Sequence, residues 1–190
     1  FKIHPAVWID SNLSETGRAP RRLIGEIVHR ALANWNCLSY SNYELTQYLE
    51  RLAHRIAIDS QALAHAVSSS FNMLDSLKRH QLYAALQSAA EQYRELPFTL
   101  ATHQGTLHGV IDLLYQDAQG GWHVLDWKTE WTPEKEMTDH AQEHLLQMAI
   151  YALAVEKQLG IMPEVSLCFL SPRVLEYKVE DDMIKVVLMG

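Results

Sequence analysis

The stretch WHVLDWK, residues 122–128, decides how this sequence of 190 residues is interpreted. Side chains two residues apart in a strand share a face, so Asp126 and Lys128 point together while Leu125 and Trp127 point the other way. Apolar side chains occur on both faces, which predicts an interior strand, where an unpaired charge is costly. We therefore expect this strand to bury two charged side chains next to each other.

A second carboxylate is expected beside this pair. The polar residues 117–121 separate the strand predicted at 107–115 from the strand at 122–128, and a hairpin there places Asp112 roughly opposite Asp126. Two carboxylates so placed repel each other, so that one takes a proton or a cation lies between them. A divalent metal with Lys128 beside it suits phosphodiester hydrolysis. For an isolated D-x-K motif, the alternative is a structural Asp–Lys ion pair at the end of a hairpin.

The order of elements around this hairpin predicts a mixed α/β domain. Residues 1–96 are mainly helical, and residues 97–190 hold the sheet and a long helix. Within a single domain of 190 residues, apolar periodicity predicts a helix that begins after Pro20, helices at about 41–58 and 60–93 with a break at 68–70, strands at 98–103, 107–115 and 122–128, a helix at 134–159 ending at Gly160, and strands at 165–170 and 174–179.

Composition excludes several classes of protein. The net charge is −7, and residues 101–190 carry 6 basic and 14 acidic side chains, which argues against a free-standing nucleic-acid binder. Cys37 and Cys168 are too few for a disulfide framework or for a four-cysteine metal site. No apolar run of about 20 residues and no signal peptide are present, so we expect a cytoplasmic protein without a membrane partner. The chain begins with Phe1, which suggests a piece of a longer polypeptide.

Five short motifs, in order along nearly the whole chain, resemble one protein family. They resemble the nuclease domain of the AddA/RecB family of bacterial helicase–nucleases, within the PD-(D/E)xK, restriction-endonuclease-like superfamily. The resemblance implies a mixed central β-sheet flanked by helices. It also implies that this chain is the C-terminal fragment of a larger helicase–nuclease. The motifs are Gly25-x-x-x-His29, Arg94-Glu95-Leu96-Pro97-Phe98, Gly109-Val110-Ile111-Asp112, Leu125-Asp126-Trp127-Lys128-Thr129 and Gln147-x-x-x-Tyr151.

The resemblance also implies roles for individual residues. Lys128 becomes the catalytic lysine, and Mg²⁺ or Mn²⁺ becomes the cofactor. An iron–sulfur cluster is not expected, because the members that carry one use four cysteines. The remaining site residues are the metal ligands Asp112, Asp126, His29 and the backbone carbonyl of Trp127, the helix residues Gln147 and Tyr151 along the active site and the DNA path, and the nearby acid Glu95.

The function implied by the resemblance is DNA cleavage. We expect a metal-dependent exonuclease that hydrolyses DNA during double-strand-break processing and recombinational repair. Its partners would be a single DNA strand, the helicase portion of the same polypeptide that delivers it, and a second nuclease/helicase subunit. No G-x-x-x-x-G-K-[ST] loop occurs in the sequence, so no ATP site is expected in this chain.

Helical geometry adds two expectations. At about 100° per residue, His29 lies roughly 150° from the centre of the apolar arc of its helix, so it is not a core histidine. On the long helix, His140, His144, Gln147 and Tyr151 fall on one polar stripe. Such a stripe on a largely apolar helix indicates contact with a polar cleft or with solvent.

Two other functions fit parts of the sequence. Residues 140–144 spell H-x-x-E-H, the zinc-peptidase pattern in which His140 and His144 bind zinc and Glu143 acts as the base. This interpretation leaves Asp112 and Lys128 unexplained. The second alternative is a nuclease fold that has lost its activity and only binds DNA or a partner. The intact set of acidic, lysine and glutamine side chains argues against that loss.

Overall fold

The structure, a computed structural model, describes residues 15–55, 60–102 and 105–189. Short turns of tighter helix at Trp35–Ser39 and Glu134–Glu136 join some of the main elements. The helices are α1 (Glu15–Ala33), α2 (Asn42–His54), α3 (Ser60–Lys78), α4 (Gln81–Gln87), α5 (Met137–Glu143), α6 (Leu145–Leu159) and α7 (Asp181–Met189). The strands are β1 (Glu91–Thr102), β2 (Gly105–Gln116), β3 (Trp122–Trp131), β4 (Glu164–Ser171) and β5 (Leu175–Val179).

The five strands of the described residues form one mixed sheet in the order β1-β2-β3-β4-β5. The pairs β1–β2, β2–β3 and β4–β5 are antiparallel, whereas β3 and β4 are parallel. A parallel pair needs a long crossover connection, and α5 and α6 supply it here. The expected α/β class with a mixed sheet and a helical N-terminal part is confirmed.

Both faces of the sheet are covered by helices. Leu125 of β3 packs with the helices α1 to α4 in one apolar cluster, and its neighbour Val124 packs with α6 in a second cluster. Both side chains are fully buried. Strand β3 is therefore interior both in its hydrogen bonding and in its packing, as the apolar residues on its two faces predicted.

The start of the sheet differs from the prediction. Strand β1 begins at Glu91, so the predicted helix through residue 93 is wrong, and Pro97 lies inside the strand. Pairing of β1 with β2, from Glu91 opposite Gln116 onward, outweighs the local helical pattern. Pro97 is tolerated because β1 is an edge strand, where a missing backbone N–H costs little.

The predicted helix break at residues 68–70 is also wrong. Helix α3 runs through this stretch to Lys78, and Ser70 is buried on the same side as Ala66 and Leu74. The apolar face of the helix continues across the serines, so packing overrides their weak helix propensity. The break lies instead at His80, whose ring Nδ1 accepts a hydrogen bond from the N–H of Leu82 at 3.3 Å.

Three further boundaries are revised. Helix α1 begins at Glu15, so Pro20 lies within the helix rather than before it. The predicted long helix at 134–159 is broken at His144 into α5 and α6. Its end at Gly160 is confirmed, because this residue has φ +71° and donates its N–H to the carbonyl of Glu156 at 2.8 Å. Residues 56–58 of one predicted helix and residue 103 of one predicted strand lie outside the described residues.

Candidate active site

The candidate site lies where β2 and β3 separate. Their residue-by-residue pairing ends at Leu113 opposite Leu125. Beyond that pair, the backbone N–H of Trp127 donates to the side-chain Oδ2 of Asp112 at 2.9 Å. The Asp112 carboxylate therefore replaces the backbone acceptor of the next strand pair, and it is held beside Asp126.

Asp126 and Lys128 form a buried ion pair on the face of β3 that packs against α6. Lys128 Nζ lies 2.8 Å from Asp126 Oδ2, and the two residues are only 4% and 2% exposed. Burial raises the pKa of the Asp126 carboxyl, and the negative charge of Asp112 raises it further, while Lys128 and His29 act in the opposite direction. The expected repulsion between two carboxylates is thus present, and it is only partly offset.

Two more side chains converge on Asp112. His29 Nδ1, on α1, lies 3.4 Å from Asp112 Oδ2. Ligand atoms of His29, Glu95 and Asp112 all lie within 4.8 Å of one another. Glu95 has φ +49°, a left-handed conformation that a glutamate seldom adopts and that interrupts the extended course of β1. Unusual backbone of this kind concentrates at functional sites.

The charged groups around Asp112 shift one another's pKa values. Partial burial raises the pKa of Glu95, and the charge of Asp112 raises it further, with His29 acting against them. Burial acts to lower the pKa of His29, but its hydrogen bond with Asp112 and the charges of Asp112, Asp126 and Glu95 outweigh burial, so the net shift is upward. A concentration of negative charge therefore surrounds the imidazole.

The Gly25-x-x-x-His29 spacing has a direct packing reason. A Cβ atom added at Gly25 would lie 3.2 Å from Oγ1 of Thr129, so the glycine allows α1 to pack closely against the end of β3. His29 follows one helical turn later on the same side of α1. Close packing at Gly25 thus brings the imidazole to Asp112.

Gln147 connects Asp126, Lys128 and Tyr151 by hydrogen bonds. Its Nε2 donates to Asp126 Oδ1 at 3.2 Å and to the Tyr151 hydroxyl at 2.8 Å, while its Oε1 accepts from Lys128 Nζ at 3.2 Å. Burial is the main cause that raises the pKa of Tyr151, and the charge of Asp126 adds to it. The tyrosine hydroxyl therefore keeps its proton.

The Phe98 ring packs against Tyr151. The ring of Phe98 meets the ring of Tyr151 edge to face, with centroids 5.7 Å apart. The Phe98 ring also lies against Gly109, where an added Cβ would approach it to 2.6 Å. Phe98 and Gly109 belong to the two strands of one hairpin and face each other in its register.

The two histidines of the H-x-x-E-H motif face another carboxylate. Glu130 Oε1 lies 3.4 Å from His144 Nε2 and 3.8 Å from His140 Nδ1, whereas Glu143 is exposed. The predicted single stripe thus divides, with the histidines near Glu130 and Gln147 near Asp126. Sequence reasoning missed Glu130, although its position two residues beyond Lys128 on the same strand could have indicated it.

The donor set fits a divalent cation. His29, Glu95 and Asp112 offer two carboxylates and an imidazole nitrogen within 4.8 Å of one another, whereas Asp126 is not part of this group and pairs with Lys128. Hard oxygen donors with one imidazole suit Mg²⁺ or Mn²⁺. Among the described residues, the group of three ligands that meets within bonding reach is His29, Glu95 and Asp112, and the peptidase motif does not form such a group.

The fold and these residues define a nuclease of the PD-(D/E)xK type. The family model of the PD-(D/E)XK nuclease superfamily matches residues 9–184 of the sequence, so the chain belongs to this superfamily. It is similar in structure to a putative exonuclease from Eubacterium rectale, with a TM-score of 0.61 at 12% identity over 96% of this chain and 65% of that chain. At this identity the likeness concerns the fold.

Curated relatives are much longer proteins. The chain is 31% identical over 109 residues to an ATP-dependent helicase/nuclease subunit of Carboxydothermus hydrogenoformans, and the match covers 48% of this chain and 9% of that protein. It is 32% identical over 130 residues to a protein of the same name in Desulfitobacterium hafniense strain DCB-2, over 62% of this chain and 9% of that protein. Within the described part of the chain, no helix is long and apolar enough to cross a membrane.

Proposed function

We propose that this chain is the divalent-metal-dependent deoxyribonuclease domain of a helicase–nuclease. The observation that carries the proposal is the convergence of two carboxylates, Glu95 and Asp112, with His29, next to the Asp126–Lys128 ion pair that Gln147 contacts. Membership of the nuclease superfamily and the helicase/nuclease name of the relatives support it. On this proposal residues 1–190 form one nuclease domain, the C-terminal part of a larger cytoplasmic polypeptide that acts in double-strand-break processing and recombinational repair.

The proposal assigns the metal to the acidic group. Asp112, Asp126 and His29 would hold Mg²⁺ or Mn²⁺ together with the backbone carbonyl of Trp127, and Glu95 would stand beside them. When bound, such an ion lowers the pKa of a coordinated water and offsets charge on the phosphoryl oxygens. With two cysteines in the chain, an iron–sulfur cluster has no four-cysteine ligand set here.

Lys128 supplies a positive charge for the scissile phosphate. Its ammonium is fixed by Asp126 and by the Gln147 Oε1 at 3.2 Å, so little reorganisation is needed when negative charge develops on the phosphoryl oxygens. Gln147 also orients the Asp126 carboxylate through its Nε2. Tyr151 retains its hydroxyl proton and lines the route that we propose for the DNA strand.

The net charge of −7 indicates how the DNA is delivered. Phosphate contacts require lysine and arginine, and an acidic domain has little long-range attraction for DNA. We therefore propose that a helicase portion of the same polypeptide, with a second nuclease/helicase subunit as a further partner, supplies most of the affinity and feeds a single strand to the site. ATP hydrolysis would take place outside this chain.

A cleavage assay on single-stranded DNA tests the proposal. With Mg²⁺ or Mn²⁺ the protein should cut DNA, and EDTA should stop the reaction. Lys128→Ala and Asp126→Ala should each lower kcat at least about 100-fold, because each removes charge stabilisation in the transition state. Lys135→Ala is the matched control, since Lys135 is 81% exposed and its loss should leave the rate unchanged.

The assay also separates the alternatives. Strong cutting by the Lys128→Ala variant would refute the proposed mechanism. DNA binding without any metal-dependent cleavage by the wild-type protein would instead favour a nuclease fold that only binds. Loss of activity in His140→Ala, together with full activity in Asp126→Ala, would favour the peptidase-type metal site.

A further inference from the structure

We propose that Glu130 and His144 are positioning residues of this site, which hold Gln147 against Asp126 and Lys128. The inference rests on the proposed nuclease function and deepens it. It also gives a role to the H-x-x-E-H histidines, which the proposed metal site does not use. The first contact that supports it joins Glu130 of strand β3 to His144 at the start of helix α6. The others join Gln147 of that helix back to strand β3 through its side-chain amide.

Strand β3 changes its course directly after Lys128. Lys128 lies opposite Phe169 of β4, whereas Trp131 lies opposite Ser171, so β3 contains one extra residue between these pairs. An irregularity of this kind bends a strand and re-aims its side chains. Glu130 lies in this bulged stretch, and its side chain is 16% exposed and directed at the histidines of α5 and the following break.

His144 occupies the break between α5 and α6. Its N–H donates to the carbonyl of Ala141 at 3.1 Å, and its own carbonyl accepts from the N–H of Met148 at 3.0 Å, so it belongs to both helices. Its ring lies 3.4 Å from Glu130 Oε1. Gln147 follows three residues later on the same side of the helix. The place where His144 contacts β3 therefore sets where α6 begins and how far Gln147 reaches.

His140 provides a second attachment, which is more exposed than that of His144. Its Nδ1 lies 3.2 Å from the hydroxyl of Thr132, a fully buried residue just beyond β3, and 3.8 Å from Glu130 Oε1. Both histidines of the motif thus join the α5–α6 region to the end of β3. We expect loss of His140 to be better tolerated, because His144 still holds the helix.

The hydrogen bonds of Gln147 are sensitive to the position of helix α6 relative to strand β3. Its contacts with Asp126 Oδ1 and Lys128 Nζ are each 3.2 Å, at the long end of the hydrogen-bond range. A shift of α6 away from β3 would lengthen and weaken both. The remaining contact with the Tyr151 hydroxyl lies on α6 itself and would move with the helix.

The Glu130 contact is poorly suited to stabilising the fold. Its second oxygen, Oε2, is buried and has no hydrogen-bond partner among the described residues. Burying an unsatisfied carboxylate oxygen costs free energy, and ion pairs of this kind often add little to folding. A side chain that contributes little to stability but fixes the geometry of a neighbouring site is expected of a positioning residue.

A double-mutant cycle tests the inference. In the 190-residue chain, Glu130→Leu should lower kcat about tenfold, the effect expected when the support of a metal ligand is lost, with little change in the KM for DNA. In the Gln147→Ala background the same change should have no further effect, because the residue it positions is absent. Glu130→Gln should recover most of the rate, since its amide oxygen can still accept from His144. Glu143→Ala, at an exposed carboxylate, is the control.

A measurement without metal or turnover makes the test independent of activity. In metal-free NMR spectra, the side-chain amide signals of Gln147 should shift in Glu130→Leu, while those of the exposed Gln158 should not. His144→Leu should shift the same signals, and it replaces Glu130→Leu if that variant fails to fold. Additive rate losses, or unchanged Gln147 signals in a folded variant, would overturn the inference. If the wild-type protein cuts no DNA, the proposed function fails, and the Gln147 signals still decide the positioning role.

Discussion

The Glu95 carboxylate, with its raised pKa, destabilises the folded protein when it is ionised. Its left-handed backbone at φ +49° places its carboxylate near Asp112 and His29, and its pKa is raised by partial burial and by Asp112. A raised carboxyl pKa means that the ionised form opposes folding at neutral pH, until a cation offsets the charge. The ionised Glu95 carboxylate therefore lowers the stability of the metal-free protein.

Replacement of Glu95 by glutamine should stabilise the metal-free protein. At about pH 7–8, we expect Glu95→Gln to raise Tm in EDTA by about 1 °C, because solvent screens this exposed side chain, and to reduce the further rise that Mg²⁺ or Mn²⁺ produces. As the pH falls through the raised folded-state pKa, the wild-type carboxyl takes up its proton, so the difference should vanish below the ordinary value of 4.5. Thermal unfolding across this pH range measures it.

The control for this prediction is Glu143→Gln, at an exposed carboxylate of α5. It should change neither Tm nor the response to metal. A Glu95→Gln variant that is less stable than the wild-type protein in EDTA at neutral pH would contradict the proposed repulsion among the acids.

Gly109 illustrates packing at the same scale. A Cβ atom there would lie 2.6 Å from the Phe98 ring, so Gly109→Ala must displace the ring that supports Tyr151. We expect a loss of about 1–3 kcal/mol in unfolding free energy, as for other overpacked sites, together with a lower kcat. Urea denaturation and the cleavage assay measure the two effects.

Val110→Ala is the matched change on the same strand, because Val110 is exposed and carries none of this packing. It should cost much less stability and leave kcat unchanged. If both substitutions lowered the unfolding free energy and kcat equally, the position of the Phe98 ring would have no influence on the site.

At the scale of elements, the contact between α1 and β3 positions the imidazole. Gly25 meets Thr129 at the end of β3, and His29 reaches Asp112 one turn later. In an open helix, alanine is favoured over glycine by about 1 kcal/mol. Here that gain is opposed by the 3.2 Å approach of the added Cβ to Thr129 Oγ1.

Gly25→Ala should therefore weaken metal binding while leaving the fold intact. We expect little net change in Tm and a several-fold lower affinity for Mn²⁺ by calorimetry, because α1 moves away from β3 and carries His29 with it. The double variant Gly25→Ala/Thr129→Ala should restore the affinity, since it removes the oxygen that the new methyl group meets. An unchanged affinity in the single variant would show that α1 has room to adjust.

The elements themselves show where local patterns succeed. The period-two pattern of β3 and the apolar residues on its two faces were sufficient to predict an interior strand with Asp126 and Lys128 together, because alternation is a local property of extended chains. The start of β1, the continuity of α3 and the break at His144 escaped prediction. Each of these depends on a partner distant in sequence, which no short window contains.

For the molecule as a whole, helices on both faces of the sheet enclose both cysteines. Cys37 belongs to the helical cluster, and Cys168 lies in the interior strand β4. Burial raises the pKa of the Cys37 thiol to about 11 and raises that of Cys168 further. Only the thiolate reacts readily with alkylating agents, so both side chains should be inert in the folded protein.

Alkylation measures this packing. At about pH 8, iodoacetamide should modify neither cysteine in the native protein and should modify both in denaturant, as read by mass spectrometry. Rapid modification of Cys168 without denaturant would contradict the closed packing of the sheet. Modification of Cys37 alone would indicate local opening of the helical cluster.

From the amino-acid sequence alone we could predict the class of fold, the superfamily motifs and the pairing of Asp126 with Lys128, because these follow from periodicity and spacing within short segments. The three-dimensional fold adds that His29 lies 3.4 Å from Asp112, that Glu95 joins them with an unusual backbone, and that Glu130 faces His144. Those contacts join α1 to β2, β1 to β2, and β3 to the α5–α6 break. Residues far apart in the chain come together there because apolar packing sets how the helices lie on the sheet, and no local pattern encodes that arrangement.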